Sequence, residues 1–193
     1  MTQTPPTAAH ALTITAVPYD SPAAHALVRA LQREQLALYG RADDPGATAA
    51  AEFAPPHGLF LLATGQDAIA VACGGWRTAG AATAEVKRMY VTSPARGRGY
   101  GRRMLEALEQ DAREHGMSEV ILETGIKNHA ALALYTRCGY GLIEPYVAGR
   151  DPLINRALSK TLRPPQRAEP PSQLSGTGQN SEVNALKDPQ DLR

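Results

Sequence analysis

Residues Arg96 to Arg102 read RGRGYGR, between a strand-like run from Glu85 to Val91 and a helix-like run from Arg102 to Glu109. A glycine-rich turn that opens a helix aims several backbone N–H groups at one spot and adds the positive end of the helix dipole. Together they form a binding place for phosphates, so the chain is expected to hold a phosphorylated ligand.

Spacing narrows the choice. A nucleotide-hydrolase loop needs GxxxxGK followed by Ser or Thr, and nothing after Gly97 supplies that pair. The dinucleotide fingerprint GxGxxG needs a third glycine, but the sixth position is Arg102 counted from Gly97 and Met104 counted from Gly99. What fits is RxxGxG, as Arg96, Gly99 and Gly101. This resembles the acetyl-CoA pyrophosphate loop of the GNAT superfamily of N-acetyltransferases. Downstream, Asn128, Ala131, Tyr135, Gly139 and Tyr140 resemble that family's NxxAxxxYxxxGF pattern, with Tyr in place of the last Phe. The segment Glu85 to Thr92 is similar to the family's fourth strand, including a glutamate at its start. The resemblance spans roughly Leu12 to Leu162.

Composition sets outer bounds. The 193 residues suit one domain with an appendage. Lys and Arg number 20 against 19 for Asp and Glu, which gives no support to a nucleic-acid or anionic-membrane binder. The basic residues instead crowd at Arg96, Arg98, Arg102 and Arg103, where they offer charge pairing to CoA phosphates or a solvated helix start. Cys73 and Cys138 have no metal or redox spacing, and the histidines at 10, 25, 57, 115 and 129 show no ligand spacing, so no metal is implied. No stretch approaches the roughly 20 apolar residues that span a bilayer, and the N-terminus lacks a signal-like core, so a cytoplasmic location is expected.

Along the chain, residues 1–10 are expected to be flexible, 11–163 to form the domain, and 164–193 to be a disordered tail. The tail carries five prolines, at 164, 165, 170, 171 and 189, and no aromatic residue with which to build a core. Leu12 to Val17 alternates as a strand does. Ser21 and Pro22 start a helix with an apolar stripe at Ala24, Leu27, Val28, Leu31 and Leu38, interrupted by Gln35 and stopping at Gly40. Arg41 to Pro56 reads as a loop with one short helical turn. Gly58 to Thr64 and Ala68 to Trp76 read as a hairpin, and Arg77 to Ala82 as a turn. A helix from Gly101 to His115 buries Met104, Leu105, Leu108 and Ala112. Glu119 to Thr124 is a strand, Asn128 caps a helix to Arg137, and Tyr140 to Ile143 and Leu153 to Leu162 close the sheet. Lys87 beside Arg88 breaks inside–outside alternation, as a bulge does. The fold class that the resemblance implies is α/β, a single-domain mixed and mostly antiparallel sheet flanked by helices, similar to the GNAT fold.

The resemblance implies direct acetyl transfer from acetyl-CoA to a primary amine. Tyr135 is then the acid for the departing thiolate, since a phenol with a reference pKa near 10 stays protonated at neutral pH. Its alternative is a ring that packs a helix onto the sheet. Glu85 is the base for an acceptor that is mostly ammonium at pH 7, or else a strand glutamate paired with Lys87 or Arg88; Glu123 is its rival. The cofactor contacts implied are Met89, Tyr90, Val91, Arg96, Gly97, Arg98, Gly99, Tyr100, Gly101, Arg102, Asn128 and Tyr135. In the family the fourth and fifth strands splay apart to admit the pantetheine arm. His57 and His129 are candidates to line the acceptor cleft or plain surface residues. The expected partner is a small-molecule amine, with no nucleic acid or membrane, and a homodimer is compatible. A protein N-terminus or lysine as acceptor, a non-catalytic CoA-binding module and a protein-interaction module remain as alternatives.

Overall fold

Period-two alternation and glycine placement set the strands. The computed structural model describes residues 12–65 and 67–162, so the expectations for 1–10 and 164–193 lie outside the described residues. In chain order the elements are β1 (Thr13–Ala16), α1 (Pro22–Tyr39), β2 (Gly58–Thr64), β3 (Ala70–Gly80), β4 (Thr83–Val91), α2 (Tyr100–Glu114), β5 (Glu119–Gly125), α3 (His129–Arg137), β6 (Gly141–Ile143) and β7 (Asn155–Thr161). The strands form one seven-stranded sheet in the order β1-β2-β3-β4-β5-β7-β6. Every pairing is antiparallel except β4 with β5, which is parallel. This is the mixed, mostly antiparallel sheet that the resemblance implies.

Alternation sorts the side chains onto two faces. Trp76, Ala84, Val86, Val120 and Leu122 face α2, where Met104, Leu105 and Leu108 are fully buried in one cluster. Full burial of one such side chain contributes about 1.5–3 kcal/mol. Phe60, Leu62, Cys73 and Tyr90 face α1, where they meet Ala24, Leu27, Val28 and Phe53. The pair Gly74-Gly75 separates the two layers. A Cβ on Gly74 would lie 2.7 Å from Met89 Sδ, and one on Gly75 would lie 2.7 Å from both the Phe53 and Phe60 rings.

Five details depart from expectation. β3 runs on through Gly80, so Arg77 to Gly80 is strand and the turn shrinks to two residues; pairing of Thr78 with Ala84 and a Thr78 N–H bond to His57 O (2.7 Å) hold the extension. Ser21 stands at the N-cap of α1, but its buried hydroxyl caps nothing. Leu38 is 42% exposed. β7 begins at Asn155, since Asp151 gathers the preceding residues into a turn by accepting from Leu153 N–H (2.8 Å). As expected, Gly40 ends α1 in the left-handed conformation (φ 69°). The loop 41–56 holds two short 3₁₀ turns rather than one.

Gly75→Ala is expected to destabilise the fold by about 1–3 kcal/mol through overpacking. Gly141→Ala, with open space around its Cβ, should stay within about 0.5 kcal/mol. Urea unfolding of the two variants checks this, and equal effects would contradict the layer packing.

Candidate active site

β4 and β5 pair only from Thr83 to Glu85 against Glu119 to Ile121, and beyond that point they part. Just past the parting, two β4 residues, Arg88 and Met89, stand opposite the single Gly74 of β3. Arg88 takes a left-handed backbone (φ 59°), which costs an ordinary residue about 1–2 kcal/mol. This is the bulge that the adjacent Lys87 and Arg88 suggest, and it inverts the alternation. Before it the even residues Ala84 and Val86 face α2; after it the odd residues Met89 and Val91 do, and Tyr90 turns toward α1.

On the α1 side of the parting lies a cavity of about 470 Å³. β4 lends it Glu85, Lys87 and Arg88, β5 lends Glu123 and Gly125, α1 lends Gln35 and Tyr39, and loops lend Asp43 and Arg150. Gly125 has to be glycine here, because a Cβ would fall 2.2 Å from the Tyr39 hydroxyl oxygen. A more open hollow of about 920 Å³ adjoins the cavity past Glu85, bordered by Arg77, Tyr146 and His57.

The two carboxylates on this face differ sharply. Glu85 is 3% exposed and triply engaged: Arg77 Nη2 lies at 2.7 Å, Lys87 Nζ at 3.1 Å, and the Tyr146 hydroxyl donates at 3.0 Å. Burial pushes its carboxyl up, but Lys87 and Arg77 outweigh burial and hold it below the usual carboxylate range. Arg77 is held in turn by Glu52. Glu123 sits two residues along from Ile121 on the same face of β5, with one weak partner, Arg150 Nε at 3.5 Å. Burial raises its pKa above the ordinary value, and Arg150 and Lys87 only partly offset that. Arg150 is committed to Asp43, with Nη2 at 2.8 and 2.7 Å from its two oxygens. Among the described residues, four buried side-chain polar atoms have no hydrogen-bond partner. Three of them, Tyr39 Oη, Arg88 Nε and Glu123 Oε1, belong to residues lining this cavity.

The RGRGYGR turn lies where β4 ends and α2 begins. Gly97 (φ 76°) and Gly99 (φ 77°) are both left-handed, and Gly99 is the N-cap of α2. Their Cβ directions are open, and the first three N–H groups of α2, on Tyr100, Gly101 and Arg102, precede the first helical bond. Gly101 has a different reason to be small: its Cβ would meet Leu134 of α3 at 3.2 Å. The Tyr100 side chain is buried in the core, so only its backbone faces the turn. Arg96 grips Glu34 of α1 at 2.7 and 2.8 Å and the Val91 carbonyl at 3.0 Å, with its guanidinium over the Tyr90 ring. Its charge is therefore spent on holding the strand end to α1. Arg102 pairs with Glu106 on the surface, Arg103 reaches the Leu12 carbonyl, and Arg98 borders a third hollow beside Thr92 and Tyr100.

Asn128 caps α3 by accepting from Ala131 N–H at 3.2 Å. Tyr135 is 5% exposed, 5.7 Å from the Tyr140 ring, and burial raises its pKa. His57 borders the open hollow, whereas His129 is exposed at the start of α3. The sequence reading missed Tyr39, Asp43, Arg88 as a cavity residue, Tyr146 and Arg150. Partners 61 and 107 positions apart, such as Tyr146–Glu85 and Arg150–Asp43, leave no local signal. One signal was there: Gln35, the polar break in the α1 stripe, lines the cavity.

Residues 24–140 match the family model described as the Acetyltransferase (GNAT) family. An IAA acetyltransferase of Azospirillum brasilense is 47% identical over 72 residues, 36% of this chain and 46% of that protein. N-alpha-acetyltransferase 80 of Mus musculus is 43% identical over 77 residues, 40% of this chain and 23% of that protein. The chain thus spans less than two thirds of the length of the curated relatives it matches. Among solved structures, a provisionally assigned acyl-CoA N-acyltransferase of Klebsiella pneumoniae superposes with a TM-score of 0.66 at 30% identity, covering 79% of this chain and 98% of that one.

Glu85→Gln should lower stability at pH 7 by about 1–3 kcal/mol, since it strips Arg77 and Lys87 of their common partner. The folded pKa of Glu85 lies below the unfolded one, so its contribution is present above the unfolded value of about 4.3. It disappears as pH falls through the folded value. Urea unfolding of both proteins from pH 7 to pH 3 should show the gap closing; a constant gap would mean that the charge contributes nothing.

Proposed function

The chain belongs to the GNAT acetyltransferase family, and we propose that it transfers acetyl from acetyl-CoA directly to the primary amine of a small acceptor seated in the cavity between β4 and β5. The observation that carries this reading is the parting itself. It opens the sheet between the glycine turn at the start of α2 and a polar cavity on the α1 side.

The turn suits a diphosphate. Gly97 and Gly99 keep side chains away, the open N–H groups of α2 supply donors, and Arg98 supplies charge. Met89, Tyr90 and Val91 follow the bulge and present backbone to the gap for the pantetheine arm. When bound, acetyl-CoA supplies an activated acyl group and a thiolate leaving group. The acceptor ammonium first gives one proton to the base; its nitrogen then forms the new amide bond as the C–S bond breaks, and the second proton it loses balances the one the thiolate takes up to end as a thiol.

Of the two carboxylates available as the base, the surroundings support Glu123. It lines the cavity and has one unpartnered oxygen and a raised pKa, which makes it the better proton acceptor. Glu85 is an acid held ionised by two cations, and such a group binds a proton poorly. Glu85 serves to position Lys87 and Tyr146. Tyr135, with its pKa raised by burial, stays protonated. Its part is to donate a hydrogen bond to the sulfur, with solvent completing the proton transfer, because its proton is held more tightly than a thiol's. Neither thiol lines the cavity, and burial pushes Cys73 up to about 12, so transfer without an acyl-enzyme is the consistent route.

Gly99→Trp should abolish acetyl-CoA binding in calorimetric titration while the melting transition persists, and unchanged affinity would overturn the placement of the cosubstrate. Tyr135→Phe should lower kcat by about 10- to 100-fold with acetyl-CoA affinity intact. In wild type, kcat/KM should rise with pH as Glu123 loses its proton, above the ordinary carboxylate range. Glu123→Gln should lose that limb; its survival would hand the base to solvent or Glu85.

A further inference from the structure

We infer that the acceptor is a zwitterion, a small amino acid whose carboxylate is held by Arg88 while its amine sits at Glu123. This rests on the acceptor cavity assigned above and names the class of molecule that fills it.

The inference comes from which charges around the cavity are already satisfied. Lys87 and Arg77 are taken by Glu85, and Arg150 by Asp43, which leaves Arg88 and the exposed Arg41 of the cavity lining. Arg88 has no carboxylate within ion-pair distance among the described residues. Its Nη2 donates to Thr48 Oγ1 at 3.1 Å, and its Nε is buried without a partner. A guanidinium with a buried, unused N–H is a donor awaiting an anion, and a carboxylate matches its planar geometry. Glu123 Oε1 is the complementary case, a buried acceptor without a donor, which an ammonium group supplies. Both residues line the same cavity, whose 470 Å³ lies in the lower half of the range for small-molecule sites.

Other acceptors fit less well. A diamine would place a cation beside Arg88 and leave Nε unpaired. A phosphorylated amine would bring two negative charges among Asp43, Glu85 and Glu123. An uncharged amine would satisfy Glu123 alone. The bulge explains why Arg88 holds this place: its left-handed backbone keeps the residue on the cavity side while Met89 returns to the α2 layer.

The test is thiol release from acetyl-CoA with three matched sets of acceptors: the common L-amino acids, their carboxamides, and the amines left by removing the carboxylate. At least one amino acid should show kcat/KM tenfold or more above its carboxamide and its decarboxylated amine. Arg88→Gln should raise KM for that amino acid by at least tenfold, leave the carboxamide within about twofold, and be partly rescued by Arg88→Lys. The carboxamide serves as an internal control for folding of each variant. Equal rates across the three sets, or an equal loss for acid and amide in Arg88→Gln, would overturn the carboxylate site and leave the acetyltransferase reading standing. No thiol from any set, with acetyl-CoA still bound in a Gly99-dependent way, would overturn the small-amine reading and this inference with it.

Discussion

One extra residue in β4 governs the rest of the site. With Arg88 and Met89 facing the single Gly74, the strand changes phase, and two consequences follow from that one register shift. Tyr90 turns toward α1, where its hydroxyl donates to Glu34 and helps fasten the strand end. Arg88 stays on the cavity side, while Met89 and Val91 pack on the α2 layer. The parting of β4 from β5 lies just before the shift, and β5 stays paired with β7 along its whole length. The local cost of a left-handed arginine is about 1–2 kcal/mol, comparable to what full burial of one core side chain returns. A well-packed domain tolerates it.

The second constraint is the treatment of buried charge. Among the described residues two glutamates are almost fully buried, Glu85 satisfied by two cations and a tyrosine and Glu109 by one cation and a tyrosine. Glu85 has Arg77, Lys87 and Tyr146, and Glu109 of α2 has Lys160 of β7 and Tyr140. Such pairs break about even against an apolar replacement, but losing one partner leaves a charge stranded. They therefore act as registers, each tying elements distant in sequence. Glu123 is the exception on the same face, with one oxygen left unpartnered. Under the proposed function, the contrast between an ion-paired Glu85 and an underused Glu123 is what would separate a positioning carboxylate from a reactive one.

The motif glycines likewise divide by physical role. Gly97 and Gly99 are needed for backbone conformation and an open approach, whereas Gly101 is needed so that α3 can come close. Arg96, the first residue of the same motif, braces α1 against the end of β4 through Glu34 and Val91. The glycine turn is thus flanked by a brace to a residue 62 positions away in sequence, which no reading of the turn by itself reveals.

What the sequence alone determined is local. Alternation, glycine stops and the Asn128 cap located every strand and helix within a few residues, because these follow from the backbone preferences of neighbouring residues. The strand–turn–helix order placed the glycine turn, and the charged pair Lys87-Arg88 marked the bulge. Only the tertiary structure decided how Arg77 to Gly80 pairs, which carboxylate is spent and which is open, and that Arg88, Tyr39 and Glu123 share a cavity with Asp43 and Arg150. Those outcomes depend on burial and on partners brought together from distant segments. Burial and long-range pairing are properties of the packed sheet, and no window of neighbouring residues encodes them.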